Sequence, residues 1–127
     1  MPVRSLNSSV FIWPRPEQID LAVRKWWAGE KVGHPATLRF GYFGSYARGD
    51  WGVGSDLDLV TVVQDSSCRF DQRSLSWDLT ALPVPAELVI YTLEEWQRLK
   101  NEGNRLVSEI EKQAVWIYSC LSADLAP

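Results

Sequence analysis

The 127-residue sequence has one histidine, two cysteines and no long apolar run. Cys68 and Cys120 are far apart without a C-x-x-C spacing, and His34 is alone, which excludes a classical zinc site and a disulfide framework. No stretch approaches the roughly 20 apolar residues of a membrane span, and the first residues lack the apolar core of a secretory signal. We therefore expect a cytoplasmic protein from a reducing compartment.

Basic residues are also few, since 13 Lys and Arg against 16 Asp and Glu give a net charge of -3. This balance excludes a protein that binds duplex nucleic acid through an extended basic surface. A local phosphate-binding site remains compatible with it. The apolar fraction of 46% is sufficient for one hydrophobic core, and the length suits one domain. We predict a single domain over residues 1–127.

Hydrophobic periodicity predicts alternating helices and strands of an α/β or α+β fold. Apolar residues at helical spacing predict a first helix from Pro16 until the glycines at 29 and 33, and a capping box predicts another helix over 92–100. A further helix is expected around 106–110, and residues 69–79 look weakly helical. Alternating or apolar runs predict strands over 37–43, 57–63, 87–91 and 114–118, with an edge strand near 10–13.

The informative segment is Gly44-Ser45-Tyr46-Ala47-Arg48-Gly49, then five residues, then Ser55-Asp56-Leu57-Asp58-Leu59. Two carboxylates at i and i+2 on a strand share one face, about 6 to 7 Å apart. Like charges this close raise one pKa unless a cation lies between them. Oxygen ligands without His or Cys favour Mg²⁺ or Mn²⁺.

The Gly44-Ser45 turn lies between a predicted strand and a short helix expected near Tyr46. Backbone N–H groups and a serine hydroxyl at such a turn form a concavity that binds anions. A phosphate cradle beside a metal-binding carboxylate pair is the minimum equipment for phosphoryl or nucleotidyl transfer.

The pattern G-S-x-A-R-G, five residues, S-D-x-D-L resembles the signature of the DNA polymerase β-like nucleotidyltransferase superfamily, and the short chain resembles its minimal branch. The resemblance covers about residues 17–118. It implies a single small domain of α/β (α+β) class, with a three- to four-stranded mixed sheet and helices packed on it.

The resemblance also assigns the acidic residues of the site. It implies that Asp56 and Asp58 bind two Mg²⁺ ions, and that Glu87 is the third catalytic and metal-binding carboxylate, which often activates the acceptor hydroxyl. Most relatives have an aspartate at this place, and Asp78 is the weaker substitute. Because Glu87 is one methylene longer than aspartate, the expectation is a weakened metal geometry or a weakened base role.

The same resemblance assigns the nucleotide and phosphate contacts. It implies that Gly44 allows a close approach, that Ser45 contacts the terminal phosphates, that Arg48 holds phosphate or the acidic cluster, and that Ser55 belongs to the nucleotide site. Trp51 in the glycine-rich loop is either a core residue or a stacking platform for a base.

The activity that the resemblance implies is Mg²⁺-dependent transfer of a nucleoside monophosphate, AMP from ATP, to an acceptor hydroxyl. Minimal relatives are commonly encoded with an all-helical HEPN ribonuclease toxin, so one implied acceptor is a tyrosine of that partner. The alternative is an antitoxin or nucleotide-binding module that masks the HEPN toxin without catalysis. An exposed strand also makes a homodimer plausible as an expectation.

Overall fold

The computed structural model describes residues 13–120. Two short segments in this range, Lys31–Gly33 and Phe70–Ser76, form 3-10 turns. The helices and strands of the range are, in chain order, α1 (Pro16–Glu30), β1 (Thr37–Phe43), α2 (Ser45–Arg48), β2 (Leu57–Val63), β3 (Ala86–Thr92), α3 (Leu93–Asn101), α4 (Arg105–Gln113) and β4 (Val115–Ser119).

The strands form one mixed sheet in the order β3-β2-β1-β4. Strand β1 is antiparallel to both β2 and β4, whereas β2 is parallel to β3. The predicted α+β domain with a mixed sheet of three to four strands is therefore confirmed, at four strands.

Helices cover both faces of the sheet. Successive side chains of β2 point to opposite faces, so the strand contributes apolar residues to a core on each face. Leu57 and Leu59 pack on one face with residues of α1 such as Val23. Val60 and Val62 pack on the other face, where α3 and α4 supply Trp96, Val107 and Ile110. The β2 alternation is the one that the sequence predicts.

Local sequence signals explain where the helices begin. Pro16 and Glu17 occupy the first turn of α1, where a missing N–H and a negative charge are favourable. The predicted capping box is present in α3, since Thr92 Oγ1 accepts the Glu95 N–H and the Glu95 carboxylate accepts the Thr92 N–H.

Several predicted elements differ in detail from the structure. The weakly helical stretch is a 3-10 turn over Phe70–Ser76, and β4 begins one residue later than predicted. Of the predicted edge strand near 10–13, residues 10–12 lie outside the described residues, and Trp13 belongs to no strand. Trp13 precedes Pro14, which has no N–H for a strand ladder.

Arg73 ties the 3-10 turn Phe70–Ser76 to β3 and α3. Its side chain is nine-tenths buried and donates to both carboxylate oxygens of Glu95, at 2.6 and 3.1 Å, and to the Ile90 carbonyl oxygen at 3.1 Å. The hydrogen bonds from Arg73 lower the pKa of the Glu95 carboxyl to about 2. The ion pair therefore couples stability to pH.

We expect the protein to lose about 1 to 2 kcal/mol of stability as acid protonates Glu95, after allowance for solvent screening. Because the folded-state pKa is depressed, this contribution is present above the usual pKa of 4.5 and disappears as pH falls towards about 2. Urea unfolding at pH 7 and pH 3 measures it. Glu95→Gln keeps the capping box but should lack this pH dependence. The exposed neighbour variant Glu94→Gln should retain it.

No helix within residues 13–120 combines the length and the apolar character needed to cross a membrane. The thiols of Cys68 and Cys120 are free and exposed.

Candidate active site

The candidate active site lies at the edge of the sheet where β1 ends and where β2 and β3 begin. Phe43 pairs with Asp58 across the antiparallel strands, and Asp58 pairs with Glu87 across the parallel strands. The Leu57 N–H donates to the Pro85 carbonyl oxygen at 2.9 Å, and this hydrogen bond aligns the first residues of β2 and β3. Strand order and register therefore bring Glu87 beside Asp58.

The backbone at Gly44 lies directly against the Asp58 carboxylate. It is buried, with φ 81° and ψ -153°, a conformation that is essentially restricted to glycine. A Cβ at this position would overlap Asp58 Oδ2. The Gly44 carbonyl oxygen accepts the N–H groups of Ala47 and Arg48 at 3.0 and 2.9 Å, which starts α2 at Ser45.

Asp58 is the half-buried member of the acidic group, whereas Asp56 and Glu87 are exposed. Burial raises the pKa of Asp58, and the charges of Glu87 and Asp56 raise it further, while Arg48 lowers it. The negative charge on this carboxyl is therefore only partly compensated by the protein.

The three carboxylates fit a divalent cation by their chemistry, because the set offers only oxygen ligands around uncompensated charge. Within residues 13–120, however, no three His, Cys, Asp or Glu side chains are gathered closely enough to ligate one ion as they stand. Binding would require the exposed side chains of Asp56 and Glu87 to turn towards Asp58.

Two open clefts share Asp58 and Phe43 in their lining. The phosphate-side cleft, about 380 Å³, includes Gly44, Ser45 and Asp56 and is closed on its far side by α4. The acceptor-side cleft, about 410 Å³, includes Glu87 and reaches residues 74, 79, 86, 88 and 89. Asp58 thus lies between the two clefts.

Arg48 is the last residue of α2, and Ser55 lies in the loop that follows this helix. Arg48 lines the phosphate-side cleft, and its Nε donates to Asp50 Oδ2 at 3.1 Å, a partner that the sequence analysis missed. Ser55 Oγ accepts the Gly52 N–H at 2.8 Å, and the Ser55 N–H donates to the Gly52 carbonyl oxygen at 2.9 Å. Ser55 therefore closes the turn that leads into Asp56.

Other singled-out residues lie in or near the cores. Trp51 stacks on Tyr46, with ring centroids 5.8 Å apart, so its contact with a base stays a prediction. His34 stacks on Trp77 at 3.7 Å. The Asp78 carboxylate accepts hydrogen bonds from Thr80, which lower its pKa. Four other tryptophans pack in the two cores: Trp26, Trp27, Trp96 and Trp116.

One wall of the phosphate-side cleft comes from α4 and was not predicted from the sequence. Leu106, Glu109, Ile110 and Gln113 line it. Their spacing of i, i+3, i+4 and i+7 places them on one helix face, a signal that was available in the sequence.

Comparison with known proteins decides the family. A sequence model described as the nucleotidyltransferase domain matches residues 30–120, which include the motif and all three carboxylates. The chain belongs to the nucleotidyltransferase domain family. As a nucleotidyltransferase, it carries the family motif at the sheet edge described above. No curated protein matches the chain at a significant level.

Solved structures share the fold of this nucleotidyltransferase. A Sulfolobus solfataricus protein assigned as a nucleotidyltransferase is 16% identical, with a TM-score of 0.60 over 83% of this chain and 84% of that chain. A toxin–antitoxin structure with AMP-PNP is 18% identical, with a TM-score of 0.54 over 83% and 76%. A mutant of the toxin–antitoxin pair MntA–HpeT is 18% identical, with a TM-score of 0.56 over 82% and 75%.

Proposed function

We propose that this nucleotidyltransferase transfers AMP from ATP to an acceptor hydroxyl in the presence of Mg²⁺ or Mn²⁺. The observation that supports it most is the position of Asp58, which lies against Gly44 and Glu87 at the boundary between the two clefts. The triphosphate then occupies the phosphate-side cleft and the acceptor occupies the acceptor-side cleft.

In this proposal, Gly44 allows the triphosphate to approach the backbone, and Ser45 and Arg48 donate hydrogen bonds to its oxygens. Asp56, Asp58 and Glu87 would hold the divalent ions. When bound, such ions stabilise the attacking and leaving oxygens of an in-line displacement.

Glu87 also lies where it can accept the proton of the acceptor hydroxyl, because it lines the acceptor-side cleft. The acceptor oxygen forms a bond to the α-phosphorus, the bond from this phosphorus to the bridging oxygen breaks, and pyrophosphate leaves. The proton passes to the Glu87 carboxylate.

The partner is proposed from the toxin–antitoxin structures that share the fold, one of which contains AMP-PNP. We place the protein in the cytoplasm beside a HEPN-family toxin, and the acceptor is a tyrosine hydroxyl of that toxin. A phenolic hydroxyl suits the acceptor-side cleft, whose lining residues are apolar apart from Asp58, Glu87 and Ser74.

Transfer of label from α-labelled ATP, CTP, GTP and UTP to protein tests this function. The purified chain is incubated with each nucleotide, with Mg²⁺ or EDTA, and with a lysate of the source organism or the purified toxin. We expect a labelled band from ATP with Mg²⁺ that EDTA abolishes. Absence of label with both acceptors, despite confirmed folding, would contradict the enzyme function.

Glu87→Gln should lower the rate of transfer about 100-fold or more, because it removes both a charge at the site and the proton acceptor. Glu87→Asp should recover much of the rate, since the carboxylate is kept. Steady-state kinetics of the native protein and the two variants check this. Equal rates for the native protein and Glu87→Gln would remove Glu87 from the mechanism.

A second function, masking of the toxin without catalysis, is favoured by one observation. Within the described residues, no three ligands are gathered into a ready-made metal site. Under masking, the Asp58→Asn variant would still bind the toxin and protect cells that express it. Under catalysis, the variant would bind the toxin and leave the cells unprotected.

A further inference from the structure

The α4 wall of the phosphate-side cleft, formed by Leu106, Glu109, Ile110 and Gln113, has no role in the motif. Val107 is fully buried in the core beneath it, and the wall residue Ile110 is itself fully buried in the same core, so both hold the helix in place. Asn104 caps the helix by accepting the Val107 N–H at 3.0 Å. The wall is therefore rigidly placed across the cleft from the Gly44-Ser45 turn.

The α4 wall has no cationic side chain to bind phosphate, so it suits the uncharged part of a nucleotide. Among described residues that line this cleft, the only cation is Arg48, which follows the Gly44-Ser45 turn. Leu106 lines the same cleft and is 50% exposed, so it offers an apolar surface on which a planar ring can pack. The triphosphate thus belongs at the turn, and the base belongs at α4.

Gln113 and Glu109 form a hydrogen-bonded pair on this wall, with Gln113 Nε2 donating to Glu109 Oε1 at 2.6 Å. An ionised carboxylate only accepts hydrogen bonds, so it fixes which end of the amide faces it. The amide is left with one free N–H donor and one carbonyl acceptor. That pair is the complement of the adenine N7 acceptor and N6 amino donor.

We propose that Gln113 reads the adenine of the bound nucleotide and that Glu109 is a positioning residue that fixes the orientation of the Gln113 amide. The inference rests on the proposed function, because it assumes that the triphosphate binds at the Gly44-Ser45 turn. Under this inference, the preference for adenine comes from Gln113 and Glu109 of α4, which lie outside the family motif.

Binding of non-hydrolysable ATP and GTP analogues with Mg²⁺ tests the inference by isothermal titration. We expect Gln113→Leu to weaken ATP analogue binding about tenfold and to leave GTP analogue binding nearly unchanged. Glu109→Gln should also reduce the ratio of the two affinities, because a glutamine no longer fixes the amide. Gln97→Leu, on the exposed face of α3, should keep the native ratio.

An analogue that lacks the adenine amino group separates base reading from a structural effect. It should bind the native protein and Gln113→Leu with more similar affinities than the ATP analogue does. An equal loss for both nucleotides, or an unchanged ratio in Gln113→Leu, would overturn base reading and leave the proposed function intact. Absence of any nucleotide binding by the native protein would overturn both.

Discussion

Asp58→Asn is expected to lower nucleotidyl transfer about 1,000-fold while the protein stays folded. Asparagine keeps the shape of the side chain and removes the charge that would hold a divalent ion, whose contribution to the transition state is worth several kcal/mol. The native carboxyl is half-buried and is repelled by Glu87 and Asp56, which raises its pKa. Its neutral replacement therefore should not lower the melting temperature.

The matched control is Asp71→Asn, which changes an exposed aspartate paired with Arg69 away from the clefts. It should retain native activity and a nearly native melting temperature. If Asp58→Asn and Asp71→Asn transferred label at the same rate, the carboxylate cluster would not be the catalytic centre.

Gly44→Ala is expected to abolish transfer and to destabilise the fold by about 1 to 3 kcal/mol. The backbone at Gly44 has a φ of 81°, and an added methyl group would overlap Asp58 Oδ2. Either the turn or the Asp58 carboxylate must move, and both belong to the site. Thermal unfolding and the transfer assay measure the two effects.

Gly49→Ala separates strain from overlap. Gly49 also has a positive φ, 90°, but a Cβ there would meet no atom within 4 Å. This variant should lose about 1 kcal/mol of stability and keep most of its activity. If Gly44→Ala behaved in the same way as Gly49→Ala, the contact between Gly44 and Asp58 would have no part in catalysis.

Much of the fold was predictable because its signals are local. The strands Thr37–Phe43 and Leu57–Val63 have the predicted bounds, since their alternation and flanking glycines are visible along the chain. The capping box at Thr92 is likewise contained in four consecutive residues. The Gly44-Ser45 turn and the acidic pair follow from the same local pattern.

The remaining features depend on contacts between distant segments. The family resemblance assigned Glu87 to the acidic group, but its direct pairing with Asp58 follows from the parallel register of β2 and β3, which a single sequence does not specify. The buried pair of Arg73 and Glu95 also joins two elements that no local pattern connects. For the same reason the α4 wall was missed, because its amphipathic spacing marks a face without saying what that face meets.

The carboxylates of Asp56, Asp58 and Glu87 are expected to hold divalent ions beside a nucleotide bound at the Gly44-Ser45 turn. A crystal structure grown with Mn²⁺ and a non-hydrolysable ATP analogue tests it most directly, because anomalous scattering locates manganese independently of the model phases. We expect manganese between the three carboxylates, with the phosphates against Gly44 and Ser45. Nucleotide bound elsewhere, or phosphates at the turn with no manganese at the carboxylates, would contradict the account.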